Sequence, residues 1–321
     1  MNVRPVAQSE LSTFNELAHQ QGTLFNCLEW LALFGKQIQP LGIFSEDGQM
    51  VGGLALFRER RWGLKILRNA PFTPGCGPFV AVQSQNPVAV LEERRKALEC
   101  MTEYLEKKSA AICMLALERG IVDALPFTWC GYKVVPNYTY LLNLAVPLDQ
   151  IRKNMSPIRR NDISKGTRDG LVVKQTTDLA VVRDLVLATF GRQEKFVDKG
   201  YLEAILFRYA NPANSFGFTT YRGENPISTC FIVHDAKTAY YLLGGYRAQD
   251  RHHGAGPLAV FAAIRRAQEL GLKTFDFEGS MVPAIERYFR GFGGQLTPYL
   301  TVNKAWLPVE MALKLMRRQI F

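Results

Sequence analysis

The chain has 321 residues, 47% of them hydrophobic, and a mean hydropathy of −0.06. These values and the absence of a long apolar run exclude a disordered chain and a membrane-spanning bundle, and they favour two soluble domains. Lysine and arginine number 39 against 29 acids, a net charge of +10, which favours anionic partners: a phosphorylated donor, tRNA, a nucleotide sugar or an anionic membrane face.

The cysteines and histidines predict neither disulfides nor metal. The six cysteines are scattered and form no C-x-x-C pair, so we expect reduced thiols, and the four histidines lack ligand spacing. The first residues contain no apolar signal segment. The expected location is therefore the cytoplasm, including the inner face of the membrane.

The predicted elements of the first half begin with two helices and a hairpin that turns at Asp47-Gly48. A short strand, the rigid loop Pro71–Pro78, a long amphipathic helix and three strands follow. The helices are predicted over 11–18, 27–34 and 91–108, and the strands over 41–44, 50–57, 64–67, 111–117, 132–135 and 138–144.

The second half repeats this order after a basic segment. Its helices are predicted over 179–189, 201–209 and 257–270, and its strands over 171–174, 216–221, 227–234, 240–245 and 273–278. We interpret the repetition as a duplicated α+β fold, in which each domain is a mixed, mostly antiparallel sheet flanked by helices. The predicted domains are 1–147 and 148–300, with a tail over 301–321 that packs back on the N-terminal domain.

The segment Arg251-His-His-Gly-Ala-Gly256 lies between a predicted strand and the helix expected to begin at Pro257. Gly254 and Gly256 allow a tight turn, and the free N–H groups of a helix start favour an anion. The spacing fits neither a dinucleotide fingerprint nor a nucleotide P-loop. The segment therefore predicts a phosphate site of another kind, and the alternative is a plain turn that caps the helix.

Two acidic residues follow in the strand 273–278. Asp276 and Glu278 share one face of that strand, where one carboxylate raises the pKa of the other, so either is a candidate general base. The alternative is a structural ion pair with Arg287 or Arg290.

A short helix opened by Pro283 carries Tyr288 and ends in Gly291-Phe-Gly-Gly294. Tyr288 is a candidate proton donor to a leaving group, and the alternative is a core tyrosine whose hydroxyl is satisfied.

The segment from Arg152 to Lys174 holds seven basic residues and two acids. Arg159, Arg160 and Lys165 are candidate contacts to an anionic substrate, and the alternative is a solvated basic helix. Because aromatic residues do not interleave with these charges, the segment does not favour single-stranded nucleic acid.

Several of these motifs resemble those of one family. The spacing Arg251-x-x-Gly254-x-Gly256, and Ala284-x-x-x-Tyr288 followed by Gly291-Phe292, resemble GNAT acyltransferases. The segments 156–173 and 288–294 resemble the FemAB-like branch, as do the helix at Trp30, the strand over 48–53 and the loop over 74–78. The resemblance extends over nearly the whole chain, through the order and spacing of the motifs.

This resemblance implies two GNAT-type domains in tandem that transfer an acyl group from a thioester, or an aminoacyl group from tRNA, to an amine. It implies one donor site, in the C-terminal domain, because the loop over 74–78 replaces it in the first half. The donor phosphates would bind at Arg251, Gly254, Ala255 and Gly256, the acyl carbonyl near Gly244 and Gly245, and Glu278 or Asp276 and Tyr288 would be base and acid.

The chain departs from the family at three points. The interval from Tyr288 to Gly291 is one residue shorter than in ordinary GNAT enzymes, Phe289 or Arg290 stands where a lysine is expected, and Pro157 breaks the start of the basic helix. The hypothesis is an N-acyltransferase that uses acyl-coenzyme A, without metal, and an amine of a small molecule, sugar or cell-envelope precursor. The alternatives are an aminoacyl-tRNA-dependent transferase of the peptidoglycan-bridge type and a non-catalytic binding protein.

Overall fold

The computed structural model describes residues 1–75, 77–192, 197–279 and 281–317, with the backbone alone for 316 and 317. The chain forms two compact units: unit 1 is Met1–Asn137 with Pro298–Phe321, and unit 2 is Tyr138–Thr297. Cys76, in the predicted loop 74–78, lies outside the described residues, and the other five cysteines are free thiols.

The helices and strands alternate along both halves of the chain. The described α-helices are α1 (Leu11–Gln21), α2 (Leu28–Leu31), α3 (Pro87–Lys107), α4 (Leu125–Trp129), α5 (Leu148–Asn154), α6 (Pro157–Arg168), α7 (Leu179–Arg192), α8 (Lys199–Ala204), α9 (Ala255–Glu269), α10 (Pro283–Arg290) and α11 (Leu307–Arg317). The described strands are β1 (Asn2–Pro5), β2 (Ile38–Phe44), β3 (Met50–Arg61), β4 (Leu64–Arg68), β5 (Phe79–Val80), β6 (Ile112–Ala116), β7 (Lys133–Asn143), β8 (Val172–Gln175), β9 (Ser215–Arg222), β10 (Asn225–His234), β11 (Thr238–Tyr246), β12 (Thr274–Asp276) and β13 (Gln295–Ala305).

Each unit contains one mixed sheet. In unit 1 the strand order is β1-β2-β3-β4-β6-β13, with β5 beside β3, and in unit 2 it is β7-β12-β11-β10-β9-β8. The pairs β4–β6 and β11–β12 are parallel, each joined by a long helix, α3 or α9, and the other pairs named here are antiparallel. The predicted α+β class with mostly antiparallel sheets is confirmed.

The last strand of each sheet comes from a distant part of the chain. Leu141–Asn143 of β7 pair with β12 in unit 2, and Thr301–Ala305 of β13 pair with β6 in unit 1. The chain therefore enters unit 2 after Asn137, ten residues before the predicted boundary at Pro147, and returns to unit 1 at Pro298. Strand pairing sets these bounds, and the sequence pattern does not reveal the pairing partner of a strand.

Alanines position α9 against the sheet of unit 2. Ala255, Ala259, Ala263 and Ala267 recur at every fourth residue, and all four are buried. Their small side chains let the helix axis approach the strands closely. The first turn of α9 is thereby held in place at the end of β11.

Three local details differ from the predicted elements. Helix α9 begins at Ala255 with Gly254 as its N-cap, two residues before the predicted start at Pro257. Pro157 does not break the start of the basic helix but forms it: it is the first residue of α6, and Ser156 Oγ caps that helix by accepting from the N–H of Arg159. The strands predicted over 132–135 and 138–144 form the single strand β7.

Within the described residues, every helix is too short or too polar to cross a membrane.

Candidate active site

Strands β11 and β12 separate in the middle of the sheet of unit 2. They pair over only three positions, and the last pair is Tyr240 with Asp276. Strand β11 continues to Tyr246 and stays paired with β10 as far as Ser228 opposite Tyr246. Past Tyr240, this edge of β11 is no longer paired with β12, and Gly244 and Gly245 lie on this part of the strand.

Two of the predicted donor-site glycines serve close packing. A methyl group built on Gly254 would collide with the backbone oxygen of Asp162 and lie 2.7 Å from the Cα of Gly166, so α6 crosses α9 in backbone contact here. A methyl group on Gly245 would lie 2.5 Å from the carbonyl carbon of Leu185, in α7. Both positions require glycine because another backbone occupies the place of a side chain.

Most N–H groups at the start of α9 already donate hydrogen bonds within the turn. The Gly254 N–H donates to His252 Nδ1 over 3.0 Å, and the Ala255 N–H donates to the His252 carbonyl oxygen over 3.1 Å. Pro257 has no N–H. Of the N-terminal positions 254–257, only the N–H of Gly256 remains available to a ligand.

Tyr288 reaches the first turn of α9. A methyl group on Gly256 would lie 2.9 Å from Tyr288 Oη and 3.6 Å from Ser228 Oγ. Burial raises the pKa of Tyr288 above its ordinary value of 10, and the nearby Arg159 guanidinium offsets part of the rise. The phenol therefore keeps its proton at neutral pH, as a general acid must. The structure thus brings two predicted parts, Tyr288 and the Gly254–Gly256 loop, to one place.

Tyr241 is a member of this cluster that the sequence analysis did not identify. A bulge at Leu242 shifts the register of β11 against β10, and Tyr241 Oη lies directly against Gly244. Burial, and secondarily the proximity of Tyr288, raises the pKa of Tyr241 well above 10. A Tyr-Tyr pair just before Gly244-Gly245 was the available signal, but strand tyrosines are common.

The two candidate bases have different environments. Asp276 is fully buried and accepts hydrogen bonds from Thr139 Oγ1 at 2.6 Å and from the N–H of Glu278 at 2.9 Å. Glu278 is half-buried and has a left-handed backbone with φ of 56°, a conformation that is strained for glutamate. Arg290 pairs with Glu286 at 3.4 Å. Glu278 is thus partly exposed although its Oε1 atom is buried, whereas Asp276 is buried entirely.

Arg159 lies inside the protein, not on a substrate-facing surface. It is 7% exposed, its Cζ lies 4.3 Å from the Tyr288 ring centroid and 4.9 Å from that of Phe292, and its Nη2 donates to the Tyr288 carbonyl oxygen. Its Nη1 pairs with Asp162 at 3.0 Å. The predicted substrate contact is therefore corrected: Arg159 positions Tyr288 from behind, because planar guanidinium stacks well on aromatic rings.

Arg160 and Lys165 remain on the outer side of α6. Arg160 Nη1 donates to the Lys153 and Met155 carbonyl oxygens, which end α5. Lys165 Nζ lies 2.6 Å from Asp169 Oδ2. An open cavity of about 470 Å³ is lined by Asp149, Arg152, Lys153 and Arg160. Arg160 therefore belongs to a basic cavity, whereas Lys165 does not line it.

Asp169 connects α6 to the loop before α9. Its Oδ2 atom also lies 2.9 Å from Nε2 of His252, and Lys165 first and His252 second lower its pKa to about 2. Because His252 Nδ1 accepts from Gly254, the ring carries its proton on Nε2 and donates it to Asp169. The loop is thus held by a hydrogen bond from His252 to Asp169, the residue that caps the C-terminus of α6.

Unit 1 contains three potential metal ligands that the sequence spacing did not indicate. Atoms of His19, Cys27 and Glu29 lie within 4.8 Å of one another. Cys27 Sγ lies 3.4 Å from His19 Nδ1, whereas Glu29 Oε2 lies 3.7 Å from His19 Nε2. The thiol and the carboxylate are thus nearest to different nitrogens of the His19 ring.

Comparison with known proteins supports the tandem architecture. Residues 152–290 match the model of the acetyltransferase (GNAT) domain. The fold is similar to a crystal structure of FemX (TM-score 0.67, 13% identity, covering 99% of this chain and 100% of that one). It is also similar to L-PGS from Bacillus licheniformis, with a TM-score of 0.56 and 14% identity, covering 99% of this chain and 98% of that one. A third similar structure is a tandem GNAT protein from the clavulanic acid biosynthesis pathway, with a TM-score of 0.52 and 12% identity, covering 94% of this chain and 97% of that one. No curated protein sequence matches the chain.

Proposed function

We propose that the chain is an acyltransferase whose unit 2, where residues 152–290 match the GNAT acetyltransferase domain, transfers an acyl group from acyl-coenzyme A to an amine. The observation that carries this proposal is the Tyr288 hydroxyl at the first turn of α9, beside the point where β11 leaves β12. A neutral phenol beside an anion-attracting helix start suits a leaving group that needs a proton.

The proposed reaction uses few groups of this chain. The amine nitrogen attacks the acyl carbonyl carbon, the new C–N bond forms and the C–S bond breaks. Glu278 takes the proton from the amine, directly or through a water, and Tyr288 gives its proton to the departing sulfur. We assign the base role to Glu278 rather than Asp276, because Asp276 is fully buried and already accepts two hydrogen bonds.

The donor would bind along the open edge of β11 near Gly244 and Gly245 and at the start of α9. The open N–H of Gly256 and the exposed Arg251 side chain are the groups suited to its phosphates. Gly254 and Ala255 would shape the turn, since their N–H groups are occupied within it.

The acceptor is an amine on a small molecule, sugar or cell-envelope precursor. The basic cavity at Arg152, Lys153 and Arg160 would hold an anionic part of such an acceptor, with three cations against one carboxylate. A nucleotide sugar has both an anionic diphosphate and a sugar, so it is one chemistry that suits this cavity.

Aminoacyl-tRNA is the second candidate donor, and one observation favours it. With two amides occupied and Pro257 in the first turn, the start of α9 offers fewer free N–H groups than a dedicated pyrophosphate loop needs. A donor held mainly by its nucleic-acid backbone would depend less on this turn.

Calorimetric titration of the purified chain with acetyl-coenzyme A and with charged tRNA separates the two donors. We expect heat with the thioester, reduced in Arg251→Ala and unchanged in Arg94→Ala, a control on α3 of unit 1. Heat with charged tRNA and none with acetyl-coenzyme A would replace our donor by the second candidate.

A further inference from the structure

One end of the sheet in unit 1 brings together residues that are distant in sequence. The hairpin β3–β4 turns at Trp62-Gly63, directly after Arg61 pairs with Leu64. The Ala111 N–H donates to the Lys65 carbonyl oxygen over 2.9 Å, and the Trp306 N–H donates to the Ala111 carbonyl oxygen over 3.0 Å. Because adjacent strands are about 4.8 Å apart, Lys65 and Trp306 lie roughly 10 Å from each other across this end.

Helix α11 starts from this end and exposes an apolar face. Leu307, Met311 and Leu315 recur at every fourth residue and are 73%, 63% and 91% exposed. Pro308 and Ala312, which lie beside them on the same face, are exposed as well. An apolar helix face that no described residue covers is unusual in water and indicates an interaction surface.

Two tryptophans border the same end. Trp62 is 85% exposed at the hairpin tip, with the Arg61 guanidinium 4.7 Å from its ring centroid, and Trp306 is 51% exposed at the start of α11. Tryptophan is the residue that prefers the boundary between water and lipid, because its ring is large and apolar while its N–H can remain hydrated.

Positive charge accompanies the aromatic and aliphatic residues. Arg58, Arg60 and Arg61 form no salt bridge with any described residue, whereas nearby acids are already paired, Glu106 with Lys304 and Glu310 with Lys314. Burial first, and then the charges of Lys108, Arg58 and Arg60, lower the pKa of Lys65. The end of the sheet therefore has a positive field that is not neutralised locally.

We propose that this end of unit 1, formed by the β3–β4 tip and α11, docks on an anionic phospholipid surface. The cations would contact lipid phosphates, the tryptophans would lie at the interface, and Leu307, Met311 and Leu315 would enter the acyl-chain boundary. RNA would match the cations and the tryptophans but offers no apolar phase for three aliphatic side chains. A second copy of the chain would carry the same positive charge and would be repelled.

The test uses the full chain in flotation with phosphatidylglycerol or phosphatidylcholine vesicles. We expect binding to phosphatidylglycerol that weakens with salt, and little binding to phosphatidylcholine. Leu307→Gln with Leu315→Gln should weaken binding about tenfold or more, since each leucine leaves the bilayer. Arg60→Glu with Arg61→Glu should weaken it at least about fivefold.

Two control substitutions are matched in chemistry. Val88→Gln changes an aliphatic residue that is 65% exposed at the opposite end of α3 from Lys107, and Arg94→Glu reverses an exposed charge on the same helix. Both should leave vesicle binding unchanged. Because the side chains changed in these controls and in the two double variants are exposed, thermal unfolding should be the same for all of them.

Quenching by brominated phosphatidylglycerol locates the contact. We expect Trp62→Phe and Trp306→Phe each to remove part of the quenching and Trp30→Phe to remove none, since Trp30 is fully buried. Failure of the wild type to bind phosphatidylglycerol, or an equal loss in the controls, would overturn the proposal. So would tRNA binding or dimer formation that Leu307→Gln with Leu315→Gln abolishes while vesicle binding persists.

Discussion

The glycines of the loop before α9 should have separable roles, although both belong to one short motif. In Gly254→Ala the new methyl group would meet backbone atoms of α6: the Asp162 oxygen, the Gly166 Cα at 2.7 Å and the Gly166 nitrogen at 2.8 Å. Backbone cannot rotate away, so α6 and α9 must separate. In Gly256→Ala the methyl group would meet Tyr288 Oη at 2.9 Å, which is the end of a side chain that can move.

The expected loss of folding free energy depends on whether the atoms that meet the new methyl group can move away from it. Gly254→Ala overpacks a helix crossing and should lower the free energy of unfolding by about 1–3 kcal/mol. Gly256→Ala should cost less than about 1 kcal/mol, because only the Tyr288 ring shifts. Displacing that hydroxyl removes the proposed proton donor, so acyl transfer should fall by about 10²-fold or more.

Urea unfolding and acyl-donor turnover, measured on the same preparations, test both effects. The control is Gly191→Ala in α7, where the methyl group would meet nothing within 4 Å; it should be neutral or stabilise by up to about 1 kcal/mol. If Gly254→Ala were as stable as this control while losing donor binding, our packing explanation of Gly254 would be wrong.

Three further predictions concern the side chains around the loop. Tyr288→Phe should lower kcat by about 10²–10⁴-fold and leave the melting temperature unchanged. Stopped-assay kinetics measure kcat, and a decrease smaller than this would show that the Tyr288 phenol is not the general acid. Arg159→Met should destabilise the fold by about 3–5 kcal/mol in urea unfolding, because it leaves a carboxylate without its buried partner; equal stability would contradict the buried pair. Hydrogen bonds from Lys165 first and His252 second lower the pKa of Asp169 in the folded protein to about 2, from an ordinary value of 3.8. The contribution of ionised Asp169 to folding stability is therefore present above pH 4 and is lost as the pH falls towards 2. The stability difference between wild type and Asp169→Asn should therefore shrink over that pH range in acid titrations followed by circular dichroism, and a constant difference would refute the assignment.

The sequence predicted the elements of this fold better than their pairing. Hydrophobic periodicity and the turn at Asp47-Gly48 located the hairpins and the long helices, since these signals are local. The pairing of β7 with β12 and of β13 with β6 was not predictable in this way. Residues 138–143 and 301–305 are ordinary strand sequences, and their partner strands lie more than a hundred residues away in the chain.

The candidate site was predictable as a set of segments but not as a set of roles. The motif spacing indicated the Gly254–Gly256 loop and Tyr288, and the structure places them together. The motif could not show that Arg159 would be buried against Tyr288, since charge in a sequence is normally solvated. Tyr241 carried no motif at all, and its position depends on a bulge in β11.

The histidine of the loop determines how much of an anion site remains. His252 Nδ1 accepts from the Gly254 N–H, and Nε2 on the other side of the ring lies 2.9 Å from Asp169 Oδ2, so the two contacts fix the orientation of the ring. Hydrogen bonding to His252 thus occupies the amides of Gly254, the N-cap, and of Ala255, the first helical residue. What the turn still offers an anion is the Gly256 N–H, directly beside the Tyr288 hydroxyl. With so few free N–H groups in the turn, the exposed Arg251 must supply most of the phosphate contact in the proposed donor site.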